Sequence, residues 1–329
     1  MSTPRPSTWS AVVLTAVALL AVLPLPARAQ GNPFKVKEEP VQAPAAPRPA
    51  PPKPAPPKTA PNIQTVAQKA GIPPVRIQGK APQGARGGSF KVVYGAIRDQ
   101  HFQEIQKVFR ETRLLEDTAK TLNENFVLPA DVTITMTECG EANAFYTPEK
   151  KTVALCYELI DELSDMFLAD AKSKQEEESA GQAIAGATMF TLYHELGHAM
   201  IDVYDLPITG KEEDAVDQLA TILLVEGGDE GEAAALNGAI SFMSEGSAAG
   251  EGEDEDGEPA EPSYWDEHSL GEQRFYNIIC WTYGKNPDGY EDLVSDGTLP
   301  EERAGRCEDE YAKMTKSWDA LLAPHMKAN

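Results

Sequence analysis

Two histidines four residues apart form the most specific chemical pattern in the chain. His194, Glu195 and His198 stand in the order His-Glu-x-x-His within a long apolar stretch. On an α-helix, side chains at i and i+4 project from one face, so both imidazoles can bind one zinc ion at roughly 2.0–2.1 Å. Glu195 then lies beside the metal, where it can take a proton from a zinc-activated water and pass it to a leaving amine. The pattern predicts the metal centre of a hydrolase that acts on peptide bonds.

A third ligand is expected on the following helix. The helix that carries His198 stops at 205–207, and Thr209–Glu212 has the S/T-x-x-E form of a capping box, which opens a second helix. Glu213 and Asp217 are spaced i, i+4 in its first turns. We expect Glu213 to bind the metal and Asp217 to accept the outward N–H of a metal-bound histidine. This arrangement leaves a fourth coordination position open for water, as catalytic zinc requires.

The acidic residues at this point of the chain also allow a plainer interpretation. Carboxylates are favoured in the first turn of a helix because they interact with the helix dipole. We apply this interpretation to Glu212 and Asp214, which we expect to be solvated, and we assign metal binding to Glu213.

These motifs resemble those of known zinc peptidases. The His-Glu-x-x-His motif, followed by Glu213 and Asp217, is similar to the gluzincin class. A closer resemblance is to a family of bacterial zinc metallopeptidases identified as a domain of unknown function, and it extends over residues 88 to 325. Four motifs of this chain match that family: Cys139–Tyr146, His194–His198, Glu212–Ala220 and Gln273–Asn277.

The resemblance implies an α+β, zincin-like fold with a small mixed or antiparallel sheet and an active-site helix that carries the His-Glu-x-x-His motif. It also implies Zn²⁺ as the cofactor and a peptide or protein as the substrate. The spacing of apolar residues agrees with such a mixture of elements. It predicts strands at 90–94, 132–136 and within 143–155, and helices at 99–126, 157–170, 181–203 and 273–281, with a polar interruption at 172–179.

Prenyl-protease-type gluzincins are more distant relatives by the same resemblance. Their Asn-Ala-Phe segment forms the sheet edge above the zinc. This implies that Asn143, Ala144 and Phe145 line a cleft in which an extended substrate pairs with that edge. The alternative is that Phe145 belongs to the core and Asn143 to a turn.

A hydrogen-bond donor opposite the base would stabilise the oxyanion of the tetrahedral intermediate. His268 and Arg274 are six residues apart, which is similar to the His-Pro-x-x-x-x-Arg element of prenyl-protease-type gluzincins, although Ser269 replaces the proline. His268, Arg274 and Tyr276 are therefore the candidates, and we favour His268 as a catalytic residue. Each of the three could instead be a packed helix residue with a satisfied hydrogen bond.

The first 29 residues have the pattern of a signal peptide. Arg5 precedes an apolar run at 11–25, and Ala27-Arg28-Ala29 fits the rule for signal peptidase cleavage. The run is short and interrupted by proline, so we expect no stable membrane span after cleavage. The pattern predicts an exported protein, periplasmic or extracellular, with an uncleaved anchor as the alternative.

Composition divides the remaining chain. Residues 30–88 are rich in Pro and Ala, which predicts a disordered, extended linker. Residues 89–329 are long enough for one zincin-like metallopeptidase domain. Within it, residues from about 227 to 262 are rich in Gly, Ala, Glu and Asp and predict an acidic disordered insertion, with calcium binding as the alternative. The net charge of −23 argues against nucleic-acid and anionic-membrane partners.

Four cysteines in an exported chain predict two disulfides, for which three pairings exist. We favour the local pairings Cys139–Cys156 and Cys280–Cys307, each of which closes a loop worth about 3 kcal/mol by chain entropy. The cysteines form no C-x-x-C pair, so a thiolate zinc site is the less favoured reading.

The sequence therefore predicts an exported zinc-dependent metallopeptidase that hydrolyses peptide bonds through a zinc-activated water, with Glu195 as the general base. The alternative from another functional class is a catalytically inactive cell-envelope module that binds peptides or assists assembly and retains the zinc site. A purely structural secreted domain, which would hold no stoichiometric zinc, is a third interpretation. The oligomeric state is left open.

Overall fold

The computed structural model describes residues 87–250 and 265–327. The predicted signal peptide at 1–29, nearly all of the predicted linker at 30–88 and residues 251–264 of the predicted acidic insertion lie outside the described residues. The elements of the described part are, in chain order, β1 Phe90–Tyr94, α1 His101–Thr112, α2 Leu114–Asn125, β2 Val132–Thr137, β3 Ala144–Thr147, β4 Thr152–Cys156, α3 Tyr157–Leu168, α4 Lys174–Tyr204, α5 Glu212–Val225, α6 Asp229–Gly250, α7 Gly271–Lys285, α8 Glu291–Ser295, α9 Glu301–Ala304 and α10 Cys307–Leu322.

The strands form one small mixed sheet in the order β1-β2-β4-β3, which confirms the predicted α+β class. β1, β2 and β4 are parallel, and β3 runs antiparallel to β4. Val132, Ile134 and Met136 are fully buried and alternate with partly exposed residues, because successive side chains of a strand point to opposite faces. β3 ends the strand order, so its outer edge is unpaired among the described strands.

Helix α4 lies at the centre of the helical layer and packs against α3, α5 and α6 and against β3 and β4. This environment explains why its sequence is apolar or small almost all round at 181–203, whereas its first turns are charged and exposed. The helix begins at Lys174 because Ser173 and Glu176 cap it: the Ser173 side chain accepts from the Glu176 amide at 3.3 Å, and the Glu176 carboxylate accepts from the Lys172 amide at 2.8 Å. The predicted polar interruption at 172–179 is therefore confirmed only for residues 172 and 173 and is wrong from Lys174 onward, where the chain is already helical.

The helix predicted at 99–126 is two helices. Arg113 has a left-handed backbone (φ 57°), which ends α1 and opens α2. Phe102 and Phe109 of α1 are buried, and so is Leu115 of α2, which packs on β1. A straight helix has a single apolar stripe, whereas the break lets the two apolar faces point in different directions.

The prediction of an acidic disordered insertion is wrong for residues 229–250, which form α6. The first part of this helix is rich in alanine, the residue with the highest helix propensity. Ala234, Ala235, Ala239 and Phe242 are buried where α6 packs against α4 and α7. Small residues in this segment therefore allow close helix packing, a role that its overall composition does not reveal.

Both favoured disulfides are confirmed. Cys139–Cys156 joins the chain after β2 to the end of β4, and Cys280–Cys307 joins α7 to the start of α10. Between residues 87 and 327, no described helix has both the length and the apolar character of a membrane span.

Gly238 of α6 tests how tightly α6 packs against α4. A Cβ atom at position 238 would lie 2.5 Å from the Cβ of Phe190, and rotation of that ring cannot relieve the overlap. We expect Gly238→Ala to lower the free energy of unfolding by about 1–3 kcal/mol, as overpacked cores do. The melting temperature should fall by about 2–4 °C for each kcal/mol.

Gly181→Ala in α4 is the matched control, because no atom lies within 4 Å of its added Cβ. Here the higher helix propensity of alanine should raise stability by up to about 1 kcal/mol. Thermal unfolding followed by circular dichroism measures both variants. A Gly238→Ala protein as stable as Gly181→Ala would contradict the packing described for α6.

Candidate metal centre

The site lies where α4 and α5 are in close contact. α4 ends at Asp205, whose left-handed backbone (φ 52°) turns the chain, and α5 begins at Glu212. Gly197 makes the approach possible, since a Cβ at this position would lie 2.8 Å from Cγ1 of Val216. Because Gly197 stands between His194 and His198, the start of α5 is held beside both imidazoles.

The three residues predicted as ligands converge. Nε2 of His194 lies 3.1 Å from Oε2 of Glu213, and Nε2 of His198 lies 3.4 Å from Oε1 of Glu213. One ligand atom from each residue lies within 4.8 Å of the others. All three side chains are largely buried, with Glu213 only 14% exposed. Two imidazole nitrogens and a carboxylate oxygen at such separations can hold a divalent cation.

The outward nitrogen of His194 is held by Asp217, as predicted. Nδ1 lies 2.8 Å from Oδ1 of Asp217, and a carboxylate only accepts, so Nδ1 donates, and Nε2, which faces Glu213, is the nitrogen that could bind a cation. Burial alone would raise the pKa of Asp217, but the charge of Arg274 and hydrogen bonds from His194 and Arg274 lower it to about 2. Asp217 is therefore a charged acceptor at neutral pH.

Arg274 is bonded to the carboxylate that holds His194. Its Nε and Nη2 each donate to Asp217 at 2.8 Å, and its guanidinium lies over the ring of Phe242, 3.5 Å from the centroid. The side chain is buried and bonded in a bidentate manner to a carboxylate. These contacts agree with the alternative of a packed helix residue with satisfied hydrogen bonds, because the guanidinium fixes the acceptor of His194, and an oxyanion role for Arg274 stays a prediction.

The outward nitrogen of His198 is held by Glu212, a contact that sequence reasoning missed. Nδ1 of His198 lies 2.8 Å from Oε1 of Glu212. Glu212 is the first residue of α5 and its side chain is 48% exposed, as expected for a solvated helix start, but it also holds the imidazole of His198, which was not predicted. The predicted capping box at 209–212 is wrong, because no side chain caps α5 and its glutamate bonds to the histidine instead. The sequence contains a signal for this contact. Each of two metal-binding histidines needs an acceptor for its outward N–H, and Asp217 accounts for only one of them.

His268 is far from Glu213 in sequence, but its side chain contacts the Glu213 carboxylate. Its Nε2 lies 3.1 Å from Oε2 of Glu213, and its Nδ1 lies 3.0 Å from Oδ1 of Asp266. Its ring stacks near that of His194, with the centroids 6.4 Å apart. The hydrogen bond to Glu213 raises the pKa of His268. The structure thus brings the favoured candidate to the predicted ligands, with almost half of its side chain exposed.

The segment that carries His268 is attached to the start of α5. Lys211 Nζ donates to the carbonyls of Asp266 and His268, each at 3.2 Å, and Ser269 Oγ donates to Asp214 at 2.7 Å. The expectation that Asp214 is only solvated is therefore wrong. These contacts lie 55 or more residues apart in sequence, so no local pattern could have signalled them.

Glu195 is buried beside the converging imidazoles, with 7% of its surface exposed. Burial raises the pKa of Glu195, and the neighbouring charges of His194 and His198 offset part of that effect. Among the described residues, none forms a hydrogen bond with its carboxylate. A buried carboxylate with a raised pKa and free oxygens has the properties of a general base.

The remaining predicted residues lie at two places. Asn143 is exposed, and its Oδ1 accepts from the Ala144 amide. Phe145 is 39% exposed, so the alternative that Phe145 belongs to the core is wrong. The Tyr146 hydroxyl donates to Asp202, one turn after His198, so β3 lies beside α4, the helix of the two histidines. Tyr276 is also 39% exposed and packs edge-on against Phe275, and no described contact joins it to the three ligand residues.

Removal of the Arg274 guanidinium should leave Asp217 as a buried charge without its main partner. We expect Arg274→Gln to lower the free energy of unfolding by about 3–5 kcal/mol. Lys174→Gln is the control, because Lys174 pairs with Glu178 on the same helix but its side chain is 88% exposed. This substitution should change the free energy of unfolding very little. Denaturant unfolding with a chelator present measures both variants without any metal contribution. Equal stability of the two variants would contradict this role of Arg274.

Metal binding should be linked to proton release. Burial would lower the pKa of His198, but hydrogen bonds to Glu213 and Glu212 outweigh burial and raise the pKa to about 9. A cation must displace this proton at any pH below 9, so apparent affinity should rise about tenfold per pH unit for each proton released and level off above that pKa. Calorimetric titration in two buffers of different ionisation enthalpy counts the protons. A metal affinity that does not change from pH 6 to 9 would refute the linkage.

Comparison with known proteins adds one finding. A family model described as "Putative metallopeptidase" matches residues 94–322, which is more than half of the chain. No curated protein and no solved structure matches the chain. The matched range contains α4, α5 and the segment that carries His268, and the family description implies a metal ion, for which His194, His198 and Glu213 form a suitable group. The chain belongs to this metallopeptidase family.

Proposed function

We propose that this protein is an exported zinc-dependent metallopeptidase that hydrolyses bonds in peptide or protein substrates. The observation that carries the proposal is the convergence of three ligand atoms, from His194, His198 and Glu213, beside the buried carboxylate of Glu195. Export is supported by two disulfides, which persist in oxidising compartments, and by the signal-peptide pattern of residues 1–29.

Zinc is the cation that the donor set fits best. Two imidazoles and one carboxylate are the ligands of many catalytic zinc sites, which keep a fourth position for water or substrate. The orientation of both imidazoles supports the assignment, since Asp217 and Glu212 each occupy an Nδ1 and leave the Nε2 atoms facing Glu213. When bound, zinc would polarise the scissile carbonyl and lower the pKa of a water molecule.

Glu195 moves the proton. Its carboxylate takes a proton from the attacking water and passes it to the leaving nitrogen, so that a poor leaving group departs as a neutral amine. Burial supports this role because it raises the pKa of Glu195 and so strengthens it as a base. The absence of a described hydrogen-bond partner leaves both oxygens free for water.

His268 stabilises the negative charge that develops on the carbonyl oxygen. Nδ1 of the ring donates to Asp266 at 3.0 Å, and Nε2, which faces the site, is also a donor when the ring is the imidazolium, the form that the raised pKa of His268 favours. The partly exposed ring can leave Glu213 for a substrate oxygen without opening the core. A donor fixed before the reaction begins is worth about 10²–10³ in rate at comparable sites.

The free edge of β3 supplies a binding surface for the substrate. An extended peptide can pair with the backbone of Asn143, Ala144 and Phe145, which gives affinity with little regard to side chains. Phe145 supports this assignment because its side chain lies on the edge strand and is exposed, so it is accessible to a peptide.

Substitution of Glu195 separates catalysis from metal binding. We expect Glu195→Gln to keep stoichiometric zinc and to lose peptide hydrolysis by about 10²–10⁴-fold, because the base is removed but no ligand is. His194→Ala should lose both zinc and activity. Glu178→Gln, an isosteric change at an exposed position of the same helix, should alter neither.

Metal analysis after purification without chelator, followed by cleavage of a mixed peptide library, measures these variants. A wild-type protein that holds zinc and binds peptides but cleaves none would favour the inactive cell-envelope module. A wild-type protein without stoichiometric zinc would favour a purely structural domain.

A further inference from the structure

One carboxylate connects α4, the helix of the two histidines, to the β3–β4 hairpin. Oδ2 of Asp202 accepts from the Tyr146 hydroxyl at 2.6 Å and from Lys151 Nζ at 3.2 Å. Tyr146 is in β3, and Lys151 is in the turn before β4. Asp202 lies four residues after His198, so it is one turn further along the same face of α4. Tyr146 and Lys151 therefore both contact α4 one turn away from the candidate ligand His198.

The connection has the properties of a specific contact. Hydrogen bonds to an ionised carboxylate are about twice as strong as neutral ones. The hydrogen bond from Tyr146 lowers the pKa of Asp202, so the carboxylate is charged at neutral pH. Lys151 has a left-handed backbone (φ 47°) at the end of the turn, and its side chain is partly buried, whereas that of the neighbouring Lys150 is exposed.

The hairpin does not need this connection in order to stay in the sheet. β3 pairs with β4 along its whole length, and the Cys139–Cys156 disulfide closes the loop that leads into β3. The contact with Asp202 is therefore not needed for strand pairing. What it affects is the distance between β3 and α4. Side chains alternate along a strand, so Ala144 points to the same face as Tyr146, and Phe145 points to the other.

We propose that Asp202 is a positioning residue for the reaction: through Tyr146 and Lys151 it sets the height of the free edge of β3 above His198. A peptide paired with that edge then presents its scissile bond at a defined place. The inference rests on the proposed function, since it concerns the placement of that substrate. Placement matters because a shift of about 1 Å in a reacting group can cost about 100-fold in rate.

The test removes each end of the contact. We expect Asp202→Ala and Tyr146→Phe each to lower kcat/KM by about tenfold, mainly through kcat, because the bound bond is misplaced. The double variant should be little worse than Asp202→Ala, since Asp202→Ala already removes the contact with Tyr146. Asp202→Asn should recover part of the rate, because its amide oxygen can still accept from Tyr146.

Lysine variants provide a matched pair in the same turn. Lys151→Met should lower kcat/KM in the same direction, and Lys150→Met should leave it unchanged. Zinc content and melting temperature are measured for every variant: zinc content should stay at the wild-type value, and the melting temperature should fall by no more than about 4 °C, because the lost contact is partly exposed. A purely structural role would lower the melting temperature by more than that and would not change kcat selectively.

The outcomes separate two failures. If the wild-type protein cleaves peptides and Asp202→Ala and Tyr146→Phe cleave them equally well, the inference is wrong and the proposed function stands. If activity falls only in step with zinc content or melting temperature, the contact is structural and the inference is again wrong. If the wild-type protein cleaves no peptide, the proposed function fails and takes the inference with it.

Discussion

The site depends on the close contact between α4 and α5 at Gly197. A side chain there would meet Val216 and push the two helices apart. With the helices in contact, Glu212, Glu213 and Asp217 of α5 come within hydrogen-bond distance of the two histidines. A separation larger by one side chain would leave two imidazoles without their acceptors and without the third ligand atom. Glycine costs about 1 kcal/mol in a helix interior, and here that cost is offset by the packing it permits.

The charges around the site form an ordered arrangement rather than an acidic patch. Asp217 is neutralised by Arg274, and Glu212 and Asp266 each hold the Nδ1 of a histidine. Burial would raise the pKa of Glu213, but the hydrogen bonds from three imidazoles lower it. Glu195 is different, because it has no such partner among the described residues and its pKa is raised. Two kinds of carboxylate thus lie within one site, and their surroundings suit one kind for binding a cation and the other for accepting a proton.

Long-range contacts assign roles that the motifs do not reveal. Arg274 has the spacing of an oxyanion donor, but it bonds to a carboxylate 57 residues away and is buried. Glu212 is at the start of a helix, and there it also holds His198. The residues of α6 have the composition of a solvated insertion, yet small side chains let the helix pack against α4. In each case the local pattern is compatible with two environments, and the neighbours from distant parts of the chain decide between them.

The four-residue spacing of the histidines, the glutamate between them and the later pair Glu213 and Asp217 were sufficient to predict the candidate ligands and the acceptor of His194. The structure brings these residues together, and the shared side of His194 and His198 was predictable because helical periodicity relates nearby positions to one face of a helix. Short strands and both disulfides followed from alternation and from loop length. The partners of His198, Arg274 and Asp202 required the folded chain, since those contacts join residues between 14 and 57 positions apart. No local periodicity relates positions across a turn, a sheet edge or a second helix, so only the tertiary structure could bring these groups together.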